Sequence, residues 1–187
     1  ACEVAAWRLA LVRADAVDLT KVNIHHWQQH NPVTTEALVQ LTLGAPQHNY
    51  YGGLLHCRLR YFDAEQQRPG LPPDVAALVT HLAPTQTTVQ LVNLGLMPRT
   101  LLVQAGGFAE HRFRRVRYSQ LGSDYPGPFE ETTRVPAATT IWHEAACDGP
   151  YLRIALPPTS QITLELTMDL HVAAPTYAPP WSPMEEQ

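Results

Sequence analysis

Apolar and polar positions alternate with a period of two along Thr87–Gly107, TTVQLVNLGLMPRTLLVQAGG. Val89 and Leu91, then Leu94, mark one arm; Leu101 and Val103 mark the other, with Thr100, Leu102 and Gln104 between and around them. Alternation of this kind belongs to strands that bury one face. Gly95 and Pro98 punctuate the connection Asn93–Arg99, so the stretch reads as a β-hairpin. The period returns in Gly53–Phe62, where Leu55, Cys57, Leu59 and Tyr61 share one face and Leu54, His56, Arg58, Arg60 and Phe62 the other. Glu110–Tyr118, Thr139–Glu144, Tyr151–Leu156 and Gln161–Val172 read as further strands, and Pro157–Ser160 turns between the last two.

Helical signals are fewer. Asn31 can cap a helix over Pro32–Leu43, with Pro32 at the tolerated first position, Glu36 in the first turns and Gly44 then Pro46 as the stop. Ala37, Leu38 and Leu41 would face a core. A second, short helix is expected over Asp74–Leu82, between prolines on either side. Val4–Val12 is ambiguous: Trp7, Leu9 and Leu11 alternate, while Ala5, Ala6 and Ala10 suit a helix. The alternation favours a strand there. Segments 45–53, 63–73 and 119–138 read as loops.

Seven or eight strands after Gly53, joined by short turns, imply antiparallel pairing. The expected fold is all-β, an antiparallel β-sandwich with a short N-terminal helix and loop segment. The alternative is a cupin or jelly-roll barrel. Residues 1–52 would form the N-terminal segment packed on the sheet, 53–173 the sandwich and 174–187 an extended tail, laid along a surface by Tyr177 and Trp181.

Composition narrows the function classes. Hydrophobic residues at 45% against 16% charged exclude a solvated disordered chain. Seventeen prolines to ten glycines shorten any helix and favour punctuated strands. A net charge of −4 argues against nucleic acid and anionic membrane as partners. No apolar run is long enough for a membrane span. The chain starts Ala-Cys-Glu, so a mature form or a piece of a longer protein is expected. Cys2, Cys57 and Cys147 allow one disulfide and a free thiol, or three reduced thiols. Secreted, periplasmic and cytoplasmic locations therefore all stay open.

The strand VQLVNLG, the turn PRT and the returning LLVQAGG resemble a hairpin in the β-sandwich domains that follow the catalytic domains of carbohydrate-active enzymes, glycoside hydrolases or polysaccharide lyases. YLRIALPPTSQITLELTM strengthens the resemblance, which spans roughly Leu54–Val172. In that group the sandwich supports, covers or extends an α/α toroid or a TIM barrel. This chain is too short to hold either. The resemblance therefore implies an accessory, mainly structural domain whose partner is the catalytic domain or another chain of the same enzyme. It also implies a chain that is not catalytic in isolation.

Candidate chemistry concentrates before the first strand. Nine histidines make metal binding worth weighing. His26 and His30 stand four apart, so on a helix they share a face, with His48 completing a copper or zinc site and His56 or His143 as other third ligands. His25 belongs to the same cluster. A cupin-like set would draw on His56, Glu110, His111 and His143, although the chain has no HxH pair. Trp27, His48, Asn49, Tyr50 and Tyr51 could line a carbohydrate groove, with Trp142 and Trp181 as further stacking aromatics. There is no GxSxG, and no cysteine lies in a nucleophile motif. Glu130, Glu131, Glu144 and Asp148 are available for a carboxylate pair, but adjacent acids in a Pro-rich loop are ordinarily solvated. Four arginines in His111–Arg117 point to both faces, which suits an edge strand or contact with an acidic glycan such as a uronate polymer. Two readings compete with the accessory domain: a free-standing histidine-ligated metalloenzyme, and a structural or assembly protein that pairs through edge strands.

Overall fold

The structure is a computed structural model that describes residues 2–26, 35–45, 56–122 and 139–181. Helix α1 spans Cys2–Ala14 and α2 spans Thr35–Leu43. The strands are β1 Leu59–Asp63, β2 Arg68–Pro69, β3 Val75–Leu82, β4 Gln86–Asn93, β5 Arg99–Ala105, β6 Arg112–Gly122, β7 Thr139–Gly149, β8 Tyr151–Leu156 and β9 Ser160–Asp169. They form a four-stranded sheet, β2-β1-β5-β8, and a five-stranded sheet, β3-β4-β9-β6-β7, with every pair antiparallel. Leu59, Tyr61, Leu101, Val103 and Leu156 from the first sheet pack against Val89, Leu91, Phe113, Val116, Leu164, Leu166 and Met168 from the second. This is an antiparallel β-sandwich, as the alternation implies. Among the described residues each sheet keeps two outer strands paired on one side only, so neither closes into a barrel.

The stretch that reads as a hairpin is not one. β4 pairs with β3 and β9, whereas β5 pairs with β1 and β8. Residues 94–98 carry the chain from one sheet to the other, and 157–159 do the same between β8 and β9. Both arms bury alternate residues toward one core, so alternation cannot separate strands lying side by side from strands facing each other across about 10 Å. The two arches lie against each other, because β4 is bonded to β9 and β5 to β8. Asn93, fully buried, joins them. Its Nδ2 donates to the carbonyls of Met97 (2.8 Å), Pro157 (3.0 Å) and Leu156 (3.3 Å). Its Oδ1 accepts from Gly95 N (3.0 Å), and Thr159 N donates to Gly95 O (3.1 Å). Leu94, expected on a strand arm, lies exposed on the arch with Leu96 and Met97.

Two segments change class. Val4–Val12 lies within α1 and is not a strand. Alanine, leucine and arginine dominate it, with Glu3 in the first turn and Arg13 in the last, where each complements the helix dipole. Trp7, Leu9 and Leu11 remain exposed, so no sheet rewards their alternation. The short helix expected over Asp74–Leu82 is instead strand β3, paired with β4 from Val75↔Asn93 to Leu82↔Thr87. Asp74, at φ 62, adopts a left-handed conformation that a helix cannot start from. Cross-strand pairing then overrides the helix propensity of Ala76, Ala77 and Leu78.

Other elements keep their class with shifted bounds. β1 begins at Leu59, so residues 56–58 of the expected strand Gly53–Phe62 precede it, and 53–55 lie outside the described residues. β6 runs on through residues 119–122, expected as loop. α2 lies over β3 and ends at Gly44, at φ 68, in the left-handed stop position. Its contact side differs: Leu41 is exposed, and Leu43 joins the core while the Tyr61 hydroxyl donates to Thr42 O (2.6 Å). Residues 31–34, with the expected cap, lie outside the described residues. The loop 63–73 contains β2, because the buried Asp63 carboxylate accepts Glu65 N and Gln66 N and turns the chain back. After β9 the chain runs as a strap without regular structure among residues 170–181. Val172 N and Ala173 N donate to Glu110 O, and Thr176 N to Phe108 O. Trp181 meets Phe62 edge-on at 5.7 Å, and Tyr177 meets Phe108 at 5.2 Å.

Candidate functional site

β6 is an interior strand, between β9 and β7, and not an edge. Its register shifts between Phe113 and Arg115 on both sides. The extra residue lets Phe113 and Val116 both enter the core, three positions apart, and turns Arg115, Arg117 and Ser119 to the outer face. There the arginines meet acids on the neighbouring strands. Arg117 donates to Glu165 (2.9 Å), Arg115 to Glu144 (3.4 Å), and Arg114 to Asp169 (2.6 Å) and Asp148 (2.8 Å), which Arg112 shares (3.3 Å). The cations thus serve cross-strand pairs within the sheet.

Beyond this ladder the sheet forks. β6 stays bonded to β9 only as far as Tyr118↔Leu164, but to β7 as far as Gly122↔Thr139. At the fork Ser119 Oγ replaces a main-chain partner and accepts Thr163 N (3.0 Å). The parting strands leave a cleft of about 310 Å³ lined by Ser119, Thr140, Trp142, Gln161 and Thr163. One face of the Trp142 indole carries the Arg117 guanidinium, whose Cζ is 4.2 Å from the ring centroid, and the residue is still 37% exposed. A held cation and a fixed sheet position restrict the indole, and three hydroxyls and one amide surround it. Such a surface offers an apolar plane with hydrogen-bonding groups at its rim.

The comparison with known protein families, curated proteins and solved structures returned no match.

Of the residues singled out by sequence, Trp142 reaches this cleft, and Trp181 lies on the opposite sheet against Phe62. Trp27, His30, His48, Asn49, Tyr50 and Tyr51 lie outside the described residues. His26 is held near α1, its Nε2 2.6 Å from Asp15 Oδ2. Glu110 and His111 sit together before β6, while His143 stacks on Tyr118 roughly 20 Å further along that strand. Among the described residues no group of three or more His, Cys, Asp or Glu is placed to hold a metal ion. Cys147 is a free thiol, and burial pushes it up, away from the reactive thiolate; Cys57 is buried. No helix among the described residues is long and apolar enough to cross a membrane. Ser119, Thr140, Gln161 and Thr163 carried no motif in the sequence. The signal available was alternation, which sets Thr140 and Trp142 opposite Ile141 and His143, and Gln161 and Thr163 opposite Ile162 and Leu164.

A second polar cluster ties down the strap. His111, almost fully buried, accepts His171 N at Nδ1 (3.0 Å), and the two rings meet edge-on at 4.6 Å. Burial holds the His111 imidazole below its usual range; the Glu110 carboxylate opposes this, while His171 and Arg58 reinforce it. Protonation would turn the Nδ1 acceptor into a donor facing an N–H. Because the folded value is lowered, the unfolded chain takes up the proton first. The stabilisation is therefore complete above the unfolded value of about 6.5 and is lost as pH falls through it toward the folded value. Urea midpoints measured from pH 7.5 to 5.0 should drop in acid, and His111→Asn should flatten that decline. An equal decline in the variant would place the acid sensitivity elsewhere.

Proposed function

We propose that this chain is an accessory, non-catalytic β-sandwich that contacts glycan for a carbohydrate-active enzyme, its protein partner being that enzyme's catalytic domain. The observation that carries the reading is the fork cleft, where the exposed indole of Trp142 stands among Ser119, Thr140, Gln161 and Thr163. Sugar rings present C–H faces that pack on aromatic planes, and equatorial hydroxyls that need donors and acceptors at the rim. The antiparallel two-sheet sandwich agrees with the fold that the sequence resemblance implies. The ordered strap and the arch clamp favour a rigid supporting body.

The test is glycan binding by the intact chain, read by affinity electrophoresis through soluble polysaccharides and by tryptophan fluorescence. Trp142→Ala should weaken binding roughly tenfold or more, since each tenfold corresponds to about 1.4 kcal/mol and a stacked aromatic supplies that order. Circular dichroism should stay unchanged, because Trp142 lies outside the core. Full binding by Trp142→Ala would remove the cleft from the reading.

A further inference from the structure

We infer that the fork cleft selects neutral, hydroxyl-rich glycan and rejects uronate polymers, an inference that rests on the glycan reading above. The five described lining residues carry no ionisable side chain. The cations nearest to them are already engaged. Arg117 bonds Glu165 and stacks on Trp142, and Arg115 bonds Glu144. Further along β6, Arg112 and Arg114 are taken by Asp148 and Asp169. Four arginines thus face four carboxylates, and among the described residues the outer face of this sheet presents no surplus positive charge beside the cleft. Among the described residues, a uronate carboxylate entering the fork would find the neighbouring guanidinium groups already paired and would approach Glu165 and Glu144, the acids of the adjacent row. The available donors and acceptors are neutral: the Ser119 hydroxyl hydrogen, left over while its oxygen accepts Thr163 N, the Thr140 and Thr163 hydroxyls, and the Gln161 amide. Hydroxyl groups pair with these without desolvating a charge, whereas a carboxylate without a cation carries a large desolvation cost.

The arrangement also predicts how the selectivity can be altered. Glu165→Gln keeps the length and a carbonyl acceptor but removes the charge that neutralises Arg117. The guanidinium then has a unit of charge to offer at the cleft mouth, in the fork geometry that suits a carboxylate.

The experiment compares chemically matched pairs, galactan with polygalacturonate and mannan with alginate, on the full chain and on the Trp142→Ala, Trp142→Phe and Glu165→Gln variants. The expected result is retardation by a neutral polymer and none by its uronate partner. Neutral binding should change less than twofold between 50 and 500 mM NaCl, because no charge pair is screened. It should be lost in Trp142→Ala and kept in Trp142→Phe, and Glu165→Gln should gain salt-sensitive binding of the uronates. Binding confined to uronates and weakened by salt would overturn the inference and leave the glycan reading standing. Binding to none of the four polymers, with no fluorescence change in a wider glycan panel, would overturn both.

Discussion

Replacing Asn93 by alanine is expected to lower the unfolding free energy by about 3 kcal/mol, a loss at the upper end for a single polar residue. The side chain is fully buried and holds four main-chain groups from two arches. Alanine leaves the carbonyls of Met97, Leu156 and Pro157 and the Gly95 N–H to find new partners where the sheets change over. For a chain of this size the loss corresponds to a fall in Tm of roughly 6–12 °C. Asn93→Asp gives a sharper test. It has the same shape, and its carboxylate still accepts the Gly95 N–H, but its other oxygen faces three carbonyl oxygens in place of a donor. At pH 7 the aspartate variant should therefore melt below the alanine variant. Relative to wild type at the same pH, it should recover part of the deficit near pH 4, where the protonated carboxyl donates one hydrogen bond. An aspartate variant as stable as alanine at pH 7 would show that the donated bonds do not hold the arches.

The arch also marks where the sequence stops being informative about topology. Val89, Leu91, Leu101 and Val103 were legible as buried residues of two strands, and they are buried. What they could not carry was the identity of the neighbour. A hairpin and a sheet-to-sheet arch bury the same alternate positions, and the difference lies in main-chain partners as distant as Leu59↔Ala105 and Asn93↔Ser160. The β3 segment failed for the opposite reason. Its local propensity was helical, and only the ladder to β4 makes it a strand. α1 shows the converse, since alternation at Trp7, Leu9 and Leu11 means nothing without a sheet to face.

The site was less legible than the fold. Aromatic and histidine density drew attention to residues 23–31 and 47–53, most of which lie outside the described residues. The cleft instead depends on where a ladder ends. Ser119, Gln161 and Thr163 become neighbours because the bulge at Phe113 sets the register of β6 and because β6 leaves β9 after Tyr118. Neither event has a sequence marker beyond the crowding of arginines. That crowding suggested an edge strand or contact with an acidic partner. In the folded sheet the acidic partner is internal, divided between β7 and β9.

Gly106→Ala is expected to cost about 3 kcal/mol through two effects that act together. Gly106 sits at φ 89, where an L side chain is strained by about 1–3 kcal/mol. Its added Cβ would also lie 2.5 Å from the Glu110 carboxylate carbon and one oxygen, and 2.6 Å from the other. Neither partner is free to yield. Gly106 N donates to Arg58 O (2.8 Å), and Gly106 O accepts from the buried Gln104 amide (2.8 Å). Glu110 is itself buried and accepts Phe108 N (2.7 Å), while its own carbonyl holds Val172 and Ala173 of the strap. Moving the carboxylate thus strands a part-buried N–H and loosens the strap that covers Phe62. Two comparisons separate the effects. Gly149→Ala, where the new methyl group meets nothing within 4 Å, should change stability by less than about 0.5 kcal/mol. In the double variant Gly106→Ala with Glu110→Ala the clash is gone and only backbone strain and the lost carboxylate bond remain. Its loss should fall short of the sum of the single losses by at least about 1 kcal/mol, the coupling expected of residues in contact. Additive losses would mean that φ alone requires the glycine. Melting of Gly106→Ala at the temperature of Gly149→Ala would mean that neither effect operates and that the loop before β6 relaxes freely.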